Sequence, residues 1–99
     1  MVARQVVFAL LIGCAGPRPT VDSVAVTTSP VPGHVRVTGS LVNRGGHGTV
    51  AIHVALHGAA LVREDFTIDV SADDRIQLAF DVTAPAGDYT ATMTAEYPD

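Results

Sequence analysis

Thr49-Val50-Ala51-Ile52-His53-Val54-Ala55-Leu56-His57 is the stretch on which the fold turns. Val50, Ile52, Val54 and Leu56 form one stripe, opposed by Thr49, Ala51, His53, Ala55 and His57. A period of two is the mark of a half-buried β-strand, with one face in the core and the other in water. His57-Gly58 breaks the pattern. Downstream, Phe66, Ile68 and Val70 share a face, and Arg63-Glu64-Asp65 before them suggests a kink or a short extra strand. Ser71-Ala72-Asp73-Asp74 is a turn into Ile76, Leu78, Phe80 and Val82. After Thr83–Gly87, a last strand places Tyr89, Ala91, Met93, Ala95 and Tyr97 inward, opposite Thr90, Thr92, Thr94 and Glu96. Upstream, the turns Pro30-Val31-Pro32-Gly33 and Asn43-Arg44-Gly45-Gly46-His47-Gly48 bracket a strand whose Val35, Val37 and Leu41 face inward. Val24 and Val26 alternate in the segment before it.

Six or seven short strands at 8–14-residue spacing predict an all-β chain folded as an antiparallel β-sandwich, one face of each sheet wet. No segment after Cys14 carries a helical period. The expected core is Val35, Val37, Leu41, Val50, Ile52, Val54, Leu56, Phe66, Ile68, Ile76, Leu78, Phe80, Tyr89 and Met93.

The N-terminus has a different character. Val6–Gly13 is an apolar run of 8 residues behind Arg4, too short for the ~20 residues of a bilayer-spanning helix. It ends in Leu11-Ile12-Gly13-Cys14, which resembles the lipobox of bacterial lipoproteins. The resemblance implies a signal peptide over residues 1–13, lipidation of Cys14, and a membrane-anchored protein of the bacterial cell envelope. Residues 14–20 then read as the lipidated Cys and a Pro-rich tether, extended to roughly 20 Å at ~3.1 Å per residue. The folded domain is expected over residues 21–99. Cys14 is the only cysteine, so no intrachain disulfide is available.

All six basic residues are Arg, and from Cys14 onward five Arg face ten Asp and Glu. That balance excludes a nucleic-acid partner, whose phosphates require a basic face. It also leaves the acyl chains to hold the protein at the membrane.

Val37-Thr38-Gly39-Ser40-Leu41-Val42-Asn43-Arg44-Gly45-Gly46, a following aliphatic strand, and Gly87-Asp88-Tyr89 together resemble the immunoglobulin-like modules of bacterial surface proteins. The cell-adhesion-related domain of bacteria, with a strand ending in Asn-x-Gly, is one such module. The resemblance implies binding or structural work without chemistry. It also makes Tyr89 similar to a tyrosine corner, whose hydroxyl bonds back to the backbone. Tyr89–Tyr97 then corresponds to an F strand with no G strand beside it. Either Val21–Thr27 swings over to pair with this edge, or Thr90, Thr92, Thr94 and Glu96 mark an exposed edge strand open to a protein partner or a second copy, with Glu96 as its gatekeeper.

The residues offer little chemistry otherwise. His53 and His57 share a strand face, but four residues at ~3.3 Å put them roughly 13 Å apart, too far for one ion whose ligands lie at ~2 Å. His34 and His47 fall in other segments, so surface histidines are expected. A cupredoxin centre needs a Cys within the fold, and Cys14 lies before it. Gly45-Gly46-His47-Gly48 joins two strands, outside the strand-to-helix setting of a phosphate loop. Glu64-Asp65 and Asp73-Asp74 lack the alternating spacing of a calcium loop, and no serine sits in a nucleophile elbow. The reading is therefore a non-catalytic module without metal or cofactor. The alternative is a small periplasmic ligand- or metal-handling domain using its surface histidines.

Overall fold

A computed structural model describes residues 16–97. Six strands follow in order: β1 (Pro19–Thr28), β2 (His34–Asn43), β3 (Gly48–Gly58), β4 (Val62–Val70), β5 (Arg75–Thr83) and β6 (Tyr89–Glu96). They form two three-stranded antiparallel sheets, β1-β2-β5 and β4-β3-β6, and no helix is present among the described residues. The expected all-β sandwich is what the chain adopts. The signal peptide and Cys14 lie outside the described residues.

The β3 stripe becomes the floor of the core. Val50, Ile52, Val54 and Leu56 are buried, and they meet Val37 and Leu41 of β2, Leu78 and Val82 of β5, and Met93 of β6. Val35, Phe66, Ile68, Ile76, Phe80 and Tyr89 pack around this centre, half-buried. Val70, Val82 and Ala84 are buried although outside the expected set. Phe66 and Phe80 stack with ring centroids 4.2 Å apart, coupling the outer strands β4 and β5 of opposite sheets.

Four expectations need correction. First, Arg63-Glu64-Asp65 is neither a kink nor a separate strand. It runs unbroken inside β4, paired as Ala55↔Arg63, Val54↔Glu64 and His53↔Asp65. The length of β3 imposes this, because a strand beside a long partner satisfies its backbone by staying in the ladder. Glu64 consequently falls on the inward-facing parity of an edge strand.

Second, Val21–Thr27 does not pair with the last strand. β1 hydrogen-bonds along β2, from Pro19↔Asn43 to Thr28↔Val35. Its alternation is interrupted where Ser23 and Val24 together oppose Gly39, with Ser23 at φ 55°. This bulge shifts the phase by one, so that Val21 and Val24 both pack against the core. A five-residue connection closes the β1–β2 hairpin at a lower loop-closure cost than any route to β6 would carry.

Third, Tyr97 is not an inward residue. It lies beyond β6, 39% exposed, with its ring against Gly16 and Gly48. Fourth, β1 begins at Pro19 rather than Val21, which shortens the expected tether.

The sandwich has two ends. One gathers residues 16–18, the β2–β3 connection, the β4–β5 turn and Tyr97. The other gathers the β1–β2, β3–β4 and β5–β6 connections, held by Ala84 N–H to Gly33 O (3.1 Å) and Ala59 N–H to Asp88 O (3.2 Å). Tyr89 donates its hydroxyl to Pro85 O at 2.6 Å, the bond expected of a tyrosine corner.

Ile52→Ala and Phe80→Ala are each expected to destabilise the domain by about 2–5 kcal/mol, against a few tenths for an exposed change such as Thr67→Ala. Urea denaturation of the three variants checks the order. The reverse ranking would mean a strand register wrong by one residue.

Candidate functional site

β6 is hydrogen-bonded on one side only. Its ladder with β3 pairs Thr90 with His57, Thr92 with Ala55, Thr94 with His53 and Glu96 with Ala51, and no strand pairs with its other side among the described residues. Thr90, Thr92, Thr94 and Glu96 are all exposed. Thr90 turns its hydroxyl onto His57 O at 3.4 Å. β1 of the opposite sheet runs alongside this flank, with Cα atoms within 8 Å, but without pairing.

The four sheet edges differ in how they are guarded. β1 opens on Pro19 and carries Asp22 beside the Ser23 bulge, and β4 carries the inward-phased Glu64. Prolines, bulges and inward charges are the usual devices against edge-to-edge pairing. β5 has Arg75 at its start and Asp81 near its end, Asp81 held by Arg36 (3.0 Å) and by Ser29 (2.8 Å). β6 has Glu96 alone, and even that charge is engaged.

Glu96 is one arm of a trio across sheet β4-β3-β6. His53 on the central strand places Nδ1 at 2.8 Å from Asp65 Oδ1 and Nε2 at 2.6 Å from Glu96 Oε1. The hydrogen bond to Asp65, and then that to Glu96, hold the imidazole pKa above its ordinary 6.5. Protonated, the ring donates from both nitrogens to two carboxylates, a charge-assisted pair on a solvent-facing sheet. Glu96 therefore lies along the sheet face rather than standing off the edge as a gatekeeper. His53 is surface-exposed, as expected, but its two partners come from strands 12 and 43 residues away in sequence. Knowing that β3 is central, with β4 and β6 on either side, is what finds them.

The other histidines are dispersed. His34 bonds Pro32 O through Nδ1 at 2.8 Å. His47 lies in the β2–β3 connection, and His57 at the end of β3. Among the described residues no group of three or more His, Cys, Asp or Glu is disposed to hold a metal ion. A hollow of about 420 Å³ opens between the end of β1 and the tyrosine corner, lined by Thr28, Ser29, His34, Asp88 and Tyr89 among others. Every buried side-chain nitrogen and oxygen among the described residues already has a hydrogen-bond partner.

The one fully buried polar residue among those described organises the opposite end. Asn43 is 1% exposed. Its Oδ1 accepts from Arg18 N (2.9 Å) and Gly45 N (3.0 Å), while Nδ2 donates to Gly46 O (2.9 Å) and Ser71 O (2.7 Å). Both acceptor lone pairs and both donors are used. In the sequence Asn43 opens a turn, and Asn before Arg-Gly-Gly is the signal that marks it. Backbone bonds from Arg44 N to Arg18 O (3.2 Å) and Gly46 N to Gly16 O (3.1 Å) complete the tie.

No protein-family model matches the chain, and no curated protein matches it in sequence.

Asn43→Ala strands two backbone N–H groups and two carbonyls, and is expected to destabilise by about 2–4 kcal/mol. Asn43→Asp keeps the acceptor but faces Gly46 O and Ser71 O with a carboxylate, so it should also destabilise, in contrast to an isosteric change on the surface. Thermal denaturation of both variants tests this.

Because the folded-state pKa of His53 is raised, its contribution is fully present below the unfolded value near 6.5 and is lost as pH rises through the folded value. The urea midpoint should fall as pH rises from about 6 to about 8. In His53→Gln that slope should flatten, and an unchanged slope would remove the trio as its cause.

Proposed function

We propose that the chain is a lipoprotein of the bacterial cell envelope, anchored through Cys14, whose sandwich is an immunoglobulin-like module acting by binding or as structure and not by catalysis. The observation that carries the binding mode is the outer side of β6, a strand without bulge, proline or projecting charge and with no hydrogen-bonded neighbour there among the described residues. An extended segment of a protein partner, or β6 of a second copy, completes such an edge through main-chain hydrogen bonds, with the Thr90, Thr92 and Thr94 side chains setting the fit.

Three features support the immunoglobulin-like reading. The strand order β1-β2-β5 faces β4-β3-β6, the connections run hairpin, crossing, hairpin, crossing, crossing, and Tyr89 makes the corner bond. Anchoring is supported by the lipobox resemblance and by an apolar run too short to cross a bilayer.

Two measurements test this proposal. Palmitate incorporation should be lost in Cys14→Ser, and labelling that persists there would sink the anchor. Hydrogen exchange should show alternate β6 amides unprotected in the free protein, becoming protected on partner capture or self-association, with Thr92→Lys weakening association at least tenfold, about 1.4 kcal/mol. A monomer with every β6 amide protected would rule out strand addition.

A further inference from the structure

The tether is where sequence and structure part most sharply. Residues 15–20 read as a spacer, yet Gly16 to Arg18 are built into the domain. Pro17 is buried, Arg18 is bonded through both N–H and C=O, and Gly16 O accepts from Gly46. Two glycines make the close approach possible. A Cβ on Gly16 would overlap the Tyr97 ring, and one on Gly45 would collide with Gly16 O and Arg18 N. Cys14 stands only two residues before the docked Gly16, a reach of at most ~7 Å of extended chain. An anchor at Cys14 therefore holds this end of the sandwich at the lipid surface with almost no slack.

The chemistry of that end differs from the rest of the molecule. Its connections and strand ends carry Arg18, Arg44 and Arg75 together with Asp69, Asp73, Asp74 and Glu96, of which Asp69 is bonded to Thr49 Oγ1 (2.7 Å), Asp74 to Arg75 N (2.9 Å) and Glu96 to His53 (2.6 Å). Elsewhere among the described residues five acidic side chains face only Arg36 and Arg63. Arg18 and Arg44, both exposed, line one hollow of about 310 Å³ with Pro19 and Thr20. Neither has a carboxylate within 4.0 Å among the described residues. Tyr97, an amphipathic ring of the kind that settles at a membrane–water interface, lies against Gly16 beside them.

We infer that the Arg18–Arg44 hollow binds phospholipid phosphate groups of the membrane that carries the anchor, so that the domain stands end-on at the bilayer instead of swinging on a tether. This rests on the anchored reading of Cys14. Guanidinium forks match phosphate oxygens in pairs, and proximity enforced by the acyl chains makes even a weak site occupied. The strands then point away from the membrane, placing Leu61, 63% exposed, at the distal end, roughly 30 Å out over a ten-residue strand. The β6 edge, flanked by β1 but not hydrogen-bonded to it, runs along the side.

The test uses the full lipidated chain in phosphatidylglycerol-containing vesicles doped with a headgroup-chelated gadolinium lipid. Spin labels are placed singly at His47→Cys, near the anchor, and at Leu61→Cys, at the far end, and mass spectrometry reads the lipid on Cys14. The expected result is relaxation enhancement several-fold stronger at 47 than at 61, with that ratio lowered at least twofold by the double change Arg18→Glu and Arg44→Glu while the lipid remains on Cys14. Equal enhancement at both sites in the lipidated wild type, or no response to the double change, overturns the end-on site and leaves the anchor standing. A Cys14 without lipid overturns both.

Discussion

The amide of Asn43 is the constraint on which one whole end of the molecule depends. Three separate pieces of chain meet there: the segment entering β1, the β2–β3 crossing and the β4–β5 crossing. None of them has a regular ladder partner at that point, and none is held by a disulfide, Cys14 being the only cysteine. A buried amide with two donors and two acceptors satisfies all of them at once, and removing it would expose each to the full cost of an unpaired buried group. Inside the sandwich apolar burial supplies the driving force; at this end polar satisfaction decides which loops lie where.

That arrangement has a mechanical consequence. Because Arg18 is tied through Asn43 and Arg44, the chain leaves the domain in a defined direction, next to Tyr97. A flexible linker would decouple the domain from whatever its N-terminal side is attached to. A docked one transmits position and orientation. The same end carries three of the five Arg among the described residues, Arg18 and Arg44 side by side on one hollow.

The two sheets divide other tasks. In β1-β2-β5 the Arg36–Asp81 pair and the Ser23 bulge order the outer face and blunt an edge. In β4-β3-β6 the protonatable His53 draws Asp65 and Glu96 inward along the sheet. Drawing Glu96 in has a cost for edge protection, because the only charge on β6 is no longer free to repel an incoming strand. The proton on His53 thus links the stability of this sheet to the character of its edge.

Periodicity alone established the strands, the two-sheet packing and nearly the whole core, because alternation of apolar and polar side chains is a local property that survives whatever partner a strand takes. Val50 to Leu56 needed no knowledge of neighbours to be assigned inward, and Gly87-Asp88-Tyr89 was enough to anticipate the hydroxyl bond of Tyr89. Sheet order, register and crossings are not local. Val21–Thr27 alternates equally well beside β2 or β6, and only closure of the hairpin and the Ser23 bulge decided for β2. Asn43 looked like any turn asparagine until residues 18, 45, 46 and 71 converged on it. His53 found Asp65 and Glu96 because β3 is central, and Pro17–Pro19 read as a spacer because composition reports what a segment is made of and not what it is tied to. Contacts between residues 12 to 43 positions apart exist only once the tertiary structure has chosen which strands are neighbours.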